Sequence, residues 1–129
     1  MALLIAGFVA YQVREPDLRA AATTSQQRSY RKIGRDLFAS NCASCHGKAA
    51  TGGSAPTLNS KEYLASATDG QMRDLVGVGI PGTDMTAWSL DAGGTLTDEQ
   101  IRAIATYVRS FEPDAPSVPD WRQGAKAGG

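Results

Sequence analysis

Asn41-Cys42-Ala43-Ser44-Cys45-His46-Gly47 is the stretch from which the rest of this 129-residue chain is read. Two cysteines three apart, followed at once by histidine, form the pattern by which a c-type haem is attached covalently. Each residue has a chemical part. The thiols of Cys42 and Cys45 add to the two vinyl groups of a haem, and His46 then offers an imidazole nitrogen to the iron. The chain has no other cysteine and no other histidine. A redox dithiol of the thioredoxin kind would want a strand–helix–strand context, which is not visible here. A structural zinc site would need a fourth ligand, and a carboxylate in that place is uncommon.

Around this motif the composition describes one soluble globular domain with extensions. Hydrophobic residues make up 42% and charged residues 20%, and no internal repeat is present. An apolar porphyrin at the centre of so small a domain adds to its core. The net charge of zero hides an asymmetry: the segment through Asp36 carries +3, so the remainder carries −3. No basic face for nucleic acid is legible in that pattern, and the charges are those of a solvated surface. No paired acid and base, activated nucleophile or phosphate loop points to a small-molecule substrate.

Upstream of the motif, Met1 to Val13 is apolar apart from Gln12. As a helix it reaches ~20 Å, short of a ~30 Å hydrocarbon core. The expectation is the outer half of a retained membrane anchor. The alternative is a signal segment cleaved near Ala20-Ala21-Ala22. Glu15-Pro16 is predicted to end this element, with Asp17 to Thr24 as a linker. Ser25 then caps a helix from Gln26 to about Ser40, whose Tyr30, Ile33 and Leu37 share one face. Gly34 costs that helix ~1 kcal/mol against alanine, so another backbone is expected to come close there. The division that follows is 1–24 anchor and linker, 25–112 folded domain, and 113–129 extended tail.

Downstream, Gly47 to Ser60 is predicted to be a loop, followed by a short helix over Lys61–Ala65. Thr68 and Gln71 make a capping box for a helix with Met72, Leu75 and Val76 on its buried face. Gly77, Gly79 and Pro81-Gly82 end it and turn the chain. A second box, Thr97 with Gln100, is stapled by Leu96 and Ile101. It opens a helix on which Ile101, Ile104, Val108 and Phe111 line one side. Glu112-Pro113 stops it, and the Pro- and Gly-containing remainder, with Trp121, is predicted to be mobile, or a docking strand.

For the second axial position of an iron bound by His46, the chain offers Met72, Met85, a lysine or nothing. Met72 lies on an apolar helix face, where methionine is commonly filler. Met85 sits in a Gly/Pro loop, free to turn its sulfur to a metal, and is the preferred ligand. A thioether raises the reduction potential relative to two nitrogens.

Taken in order, Gly34-x-x-x-Phe38, Cys42-x-x-Cys45-His46, Pro56-x-Leu58, Ile80-Pro81-Gly82-Thr83-x-Met85 and a terminal helix with Tyr107 resemble the class I monohaem cytochromes c. The resemblance runs from about Ile33 to Phe111. It implies an all-α fold of three to five helices wrapped around one haem c, the first and last helices crossing at Gly34 near Phe38, Ile104 and Tyr107. It also implies a hydrogen bond from His46 to the carbonyl of Pro56, and it makes Trp88 the aromatic near the haem propionates. With His46 and Met85 on the metal, the implied function is outer-sphere transfer of one electron. The carrier would be tethered to a membrane, or be a subunit of a respiratory or photosynthetic complex, with redox proteins as partners. Haem attachment in this family places it on the periplasmic side of a bacterial inner membrane, against the positive-inside rule applied to Arg14 and Arg19. A soluble periplasmic protein is the outcome of signal cleavage. A gas sensor or peroxidase-like enzyme with an open sixth position is the alternative function.

Overall fold

In a computed structural model the chain is described over residues 1–126, and the last three positions of the tail (127–129) lie outside the described residues. Five α-helices follow one another: α1 (Ala2–Asn41), α2 (Ala43–His46), α3 (Lys61–Ser66), α4 (Asp69–Val78) and α5 (Asp98–Arg109). Short 3-10 turns occupy Lys48–Ala50, Leu90–Ala92, Glu112–Asp114 and Trp121–Lys126, and no strand is present among the described residues. The all-α expectation holds.

The helix starts follow local chemistry. Thr68 and Thr97 each accept a hydrogen bond from the backbone N–H of the glutamine three residues on, and each glutamine side chain answers by accepting from the threonine N–H. Ser60 caps α3 through Tyr63 N–H. Leu96 and Ile101, the expected staple, are both buried.

The first and last helices cross where Gly34 meets Ala103. A Cβ on Gly34 would overlap the Ala103 carbonyl and press on Tyr107 Cβ. That contact shifts the buried face of α1 from the expected one, although Leu37 still packs on the core and Tyr30 is half-buried. Gly34 and Phe38 are buried, whereas Ile33 stays 49% exposed. The reason is steric: only the face carrying the bare Cα lets the two backbones close. Phe38, Leu64, Met72, Leu96, Ile101, Ile104 and Val108 form the core beside it.

Two expectations about the ends are overturned. Pro16 does not stop the first element, because α1 runs unbroken through it and needs no cap at Ser25. Proline fits helical φ and forfeits one backbone hydrogen bond. The flanking turns offset this with the Arg19–Glu15 pair at 2.6 Å and an alanine-rich stretch of high helix propensity. For the tail it is the mobile alternative that falls, not the docking one. Its described part folds back on the loop between α2 and α3, as set out below. Among the described residues no helix is long and apolar enough to cross a membrane.

Candidate functional site

Cys42 closes α1 by donating its N–H to Phe38 O at 2.8 Å, and its side chain is buried against the core. The single turn of α2 follows, with His46 N–H donating to Cys42 O at 2.9 Å. Gly47 takes φ +81°, and a Cβ there would strike the Gly52 carbonyl. This is why glycine must end the motif. The chain then doubles back. Gly52 N–H donates to His46 O at 2.6 Å and Ala55 N–H to Cys45 O at 3.0 Å. Those bonds bring the Pro56 carbonyl to 2.9 Å from His46 Nδ1.

That geometry sets the state of the imidazole. A carbonyl only accepts, so Nδ1 carries the proton and Nε2 keeps its lone pair. Burial holds the His46 pKa below its ordinary value, and the Pro56 carbonyl opposes this in part. The ring is therefore a neutral nitrogen donor at physiological pH, tilted 46° to Phe38 with centroids 6.4 Å apart. Phe38 in turn meets Tyr107 at 5.5 Å, and Tyr107 meets Phe111 at 5.0 Å, an aromatic path from α5 to the histidine. Cys42 and Cys45 are free thiols. Burial, then the neighbouring Cys45, pushes Cys42 up to about 11. A thiol so seldom ionised is a poor redox dithiol. Among the described residues no group of three or more His, Cys, Asp or Glu could hold a metal ion by themselves.

Met85 is presented by a closed turn after α4. Ile80 N–H donates to Met85 O at 2.9 Å, Thr83 N–H to Ile80 O at 3.2 Å, and Met85 N–H to Thr83 Oγ1 at 3.2 Å. Gly79 starts the turn at φ +70°. Met72, by contrast, is 4% exposed in the core, so Met85 is the methionine on a loop with a half-buried side chain. The same segment leaves Leu75, Val78 and Ile80 between 43% and 67% exposed. Trp88 is half-buried against the core, its N–H donating to Val76 O and its carbonyl accepting from Leu96 N–H. Cys42, Cys45, His46 and Pro56 thus form one connected cluster. Met85 and Trp88 stand on a second segment with no hydrogen bond to that cluster.

Three contributors escape sequence reasoning. Ala49 and Ala50 take φ +54° and +59°, a left-handed conformation that side chains avoid. Two adjacent alanines look like helix. Here the Ala50 carbonyl must turn to accept from both Leu58 and Asn59 N–H at 3.0 Å. The third contributor is the tail. Thr57 N–H donates to Trp121 O at 2.7 Å, Lys61 N–H to Pro116 O at 3.0 Å, and the Trp121 ring lies 5.0 Å from Tyr63. Glu62 binds Ser117 Oγ at 2.5 Å and Val118 N–H at 2.7 Å, which holds its carboxyl at about 2. The tail so braces the loop that carries Pro56. No local signal marks these contacts, since the partners lie more than fifty positions apart.

The donor set fits an axially bound, thioether-linked haem: an imidazole with Nδ1 tied and Nε2 available, two unpaired thiols beside it, and a loop methionine. Comparison with known proteins points the same way. The family model for cytochrome C oxidase, cbb3-type, subunit III matches residues 31–108. The CcoP subunit of the cbb3-type cytochrome c oxidase of Rhodobacter capsulatus is 39% identical over 84 residues, 60% of this chain and 28% of that protein. The FixP subunit of Azorhizobium caulinodans is 36% identical over 103 residues, 74% of this chain and 34% of its own length. FixP of Bradyrhizobium sp. (strain ORS 278) is 35% identical over 119 residues, covering 86% and 38% respectively. The chain spans about a third of the length of these curated relatives.

Proposed function

Because the chain belongs to the family of cytochrome c oxidase, cbb3-type, subunit III, we propose that it is a one-electron transfer domain serving a respiratory membrane complex. Cys42 and Cys45 would hold a single haem c by thioether bonds, with His46 and Met85 as its axial ligands and Trp88 near its propionates. When bound, the haem supplies a ferric/ferrous couple whose potential a thioether ligand raises. The residues of the chain do the rest. His46 offers Nε2, and its Nδ1–H, shared with the Pro56 carbonyl, fixes the ring orientation and increases the donor strength of the imidazole. Phe38 and the core beside it keep water from the ring. The turn from Gly79 to Met85 holds the methionine backbone in place, so that ligation costs little reorganisation.

The observation that carries this reading is the His46–Pro56 contact at 2.9 Å on a histidine that directly follows two free cysteines. Partners are then other subunits of the complex and the redox proteins that feed it. The apolar residues 1–13 attach the domain to the periplasmic face of the inner membrane. The test is the intact mass of protein made with haem-attachment machinery, together with acid–acetone extraction. One haem per chain that survives extraction is the expected result, and a pigment that washes out overturns the proposal. Carbon monoxide added to the reduced protein should leave the spectrum unchanged. A rapid shift would instead favour an open sixth position.

A further inference from the structure

The charges of α1, unremarkable in the sequence, do not stay spread out in the fold. Arg28 and Arg31 from α1, Arg73 from α4, and Arg102 and Arg109 from α5 line one hollow of about 510 Å3, with Asp69 as its single acid. An adjoining hollow of about 470 Å3 shares Arg28 and Arg31 and adds Lys32 and Arg35 beside Tyr107 and Phe111. Seven of the thirteen basic residues of an electrically neutral chain therefore line these two hollows, which share Arg28, Arg31 and Ser110 and make up one basic groove region. Arg109 is occupied by Asp69, Glu112 and two carbonyls, and Arg102 lies over the Tyr30 ring at 5.3 Å. Arg28, Arg31, Lys32 and Arg73 have no carboxylate within ion-pair distance among the described residues. Like charges held this close repel one another, and a bound anion would relieve them.

We propose that this groove is a docking surface for an acidic segment of a neighbouring protein, its carboxylates received by Arg28, Arg31 and Arg73. Two observations choose this occupant over other polyanions. The groove starts at Thr24, eleven residues beyond the apolar run that ends at Val13. Along a helix that is ~16 Å, whereas lipid headgroups reach only ~5–8 Å outside the hydrocarbon. Lipid phosphates anchored by residues 1–13 fall short of it. The positive strip is also brief, ~16 Å from Thr24 to Arg35 along α1, and Asp36 and Glu112 pair with cations at its edge. A nucleic-acid backbone would overrun it onto carboxylates. Arginine forks favour paired carboxylate oxygens on a short segment. The surface involves neither the cysteines nor His46, so it stands independently of the haem reading.

The test uses the full chain, haem-loaded and 15N-labelled, and as probe a synthetic helical peptide with glutamates three and four residues apart. Binding should shift the amides of Arg28, Arg31, Arg73 and Arg102. It should weaken roughly tenfold or more as ionic strength rises from about 0.01 to about 0.15 M, which shortens the screening length from ~30 to ~8 Å. The triple variant R28E/R31E/R73E should lose at least about tenfold in affinity, and R28Q/R31Q/R73Q less. All three side chains are at the surface, so an unchanged melting temperature will show that the fold is intact. The proposal is overturned if the glutamine version of the peptide binds equally well, or if the shifted amides lie elsewhere. It is equally overturned if phosphatidylglycerol vesicles or an oligonucleotide bind more tightly, or if sedimentation shows the chain pairing with itself.

Discussion

At Gly34 one hydrogen atom separates a seated crossing from a collision with the Ala103 carbonyl. Gly34→Ala, which would stabilise an isolated helix, should here cost about 3 kcal/mol by overpacking. Guanidinium unfolding of the haem-loaded protein measures this, and an unmoved midpoint would mean that the helices do not meet there. At Met85 the change is electronic. Met85→Ala should open the iron to carbon monoxide and lower the potential by on the order of 0.2 V, a quarter of the ~0.8 V range that axial ligands command. The folding midpoint should fall much less than for a core truncation such as Met72→Ala. Cys42, Cys45 and His46 could be singled out because the covalent attachment proposed for them demands a local spacing. Gly34 was legible as a close approach, and the resemblance named the last helix with Tyr107 as its partner, though not Ala103, whose carbonyl makes the contact. Ala49 and Ala50 were not, because their left-handed turn is imposed by hydrogen bonds from Leu58 and Asn59.

The two capping boxes were readable because each one is complete within four residues. The docking of the tail was not, because its carboxylate and its donors are far apart in sequence. Glu62 sits in the first turn of α3, where an acid needs no explanation beyond the helix dipole. Yet Ser117 and Val118 hold its pKa at about 2, against an ordinary 4.5. A folded-state pKa lowered in this way stabilises docking above pH ~4.5, and the contribution fades as the pH falls toward 2. The protection factor of the Val118 amide, the exchange rate of a free amide at the same pH divided by its own, should therefore fall over that window, and in Glu62→Gln it should be low throughout. Slow exchange at Val118 in the variant would remove Glu62 from the account. Trp121→Ala, which strips the ring from Tyr63, should destabilise by about 2 kcal/mol, less than a core tryptophan because the site is half-exposed. By loosening the loop that holds Pro56 it should also weaken the imidazole as a donor and so raise the potential. A variant that unfolds earlier with its potential unchanged would make the tail structural only.

For the molecule as a whole, the sequence showed most of what meets the core, with Ile33 and Leu75 as exceptions that stay exposed, but not which charges would become neighbours. The arginines of α1, α4 and α5 meet only because the Gly34 crossing brings three helices together. The continuity of α1 was equally hidden, since Pro16 looks like a stop when only local rules are applied. Spin labels at Leu4 and Gln27 should report a single narrow separation of ~35 Å, the rise of twenty-three helical residues. A broad distribution would restore the linker. A coil from Arg14 to Thr24 would let its cargo wander through a volume with a typical radius of ~18 Å. A helical post of the same residues, ~16 Å tall, holds that cargo at one altitude and one compass bearing. A redox partner whose own exposed edge sits at a different height would then be refused by stature alone, before any surface chemistry is consulted.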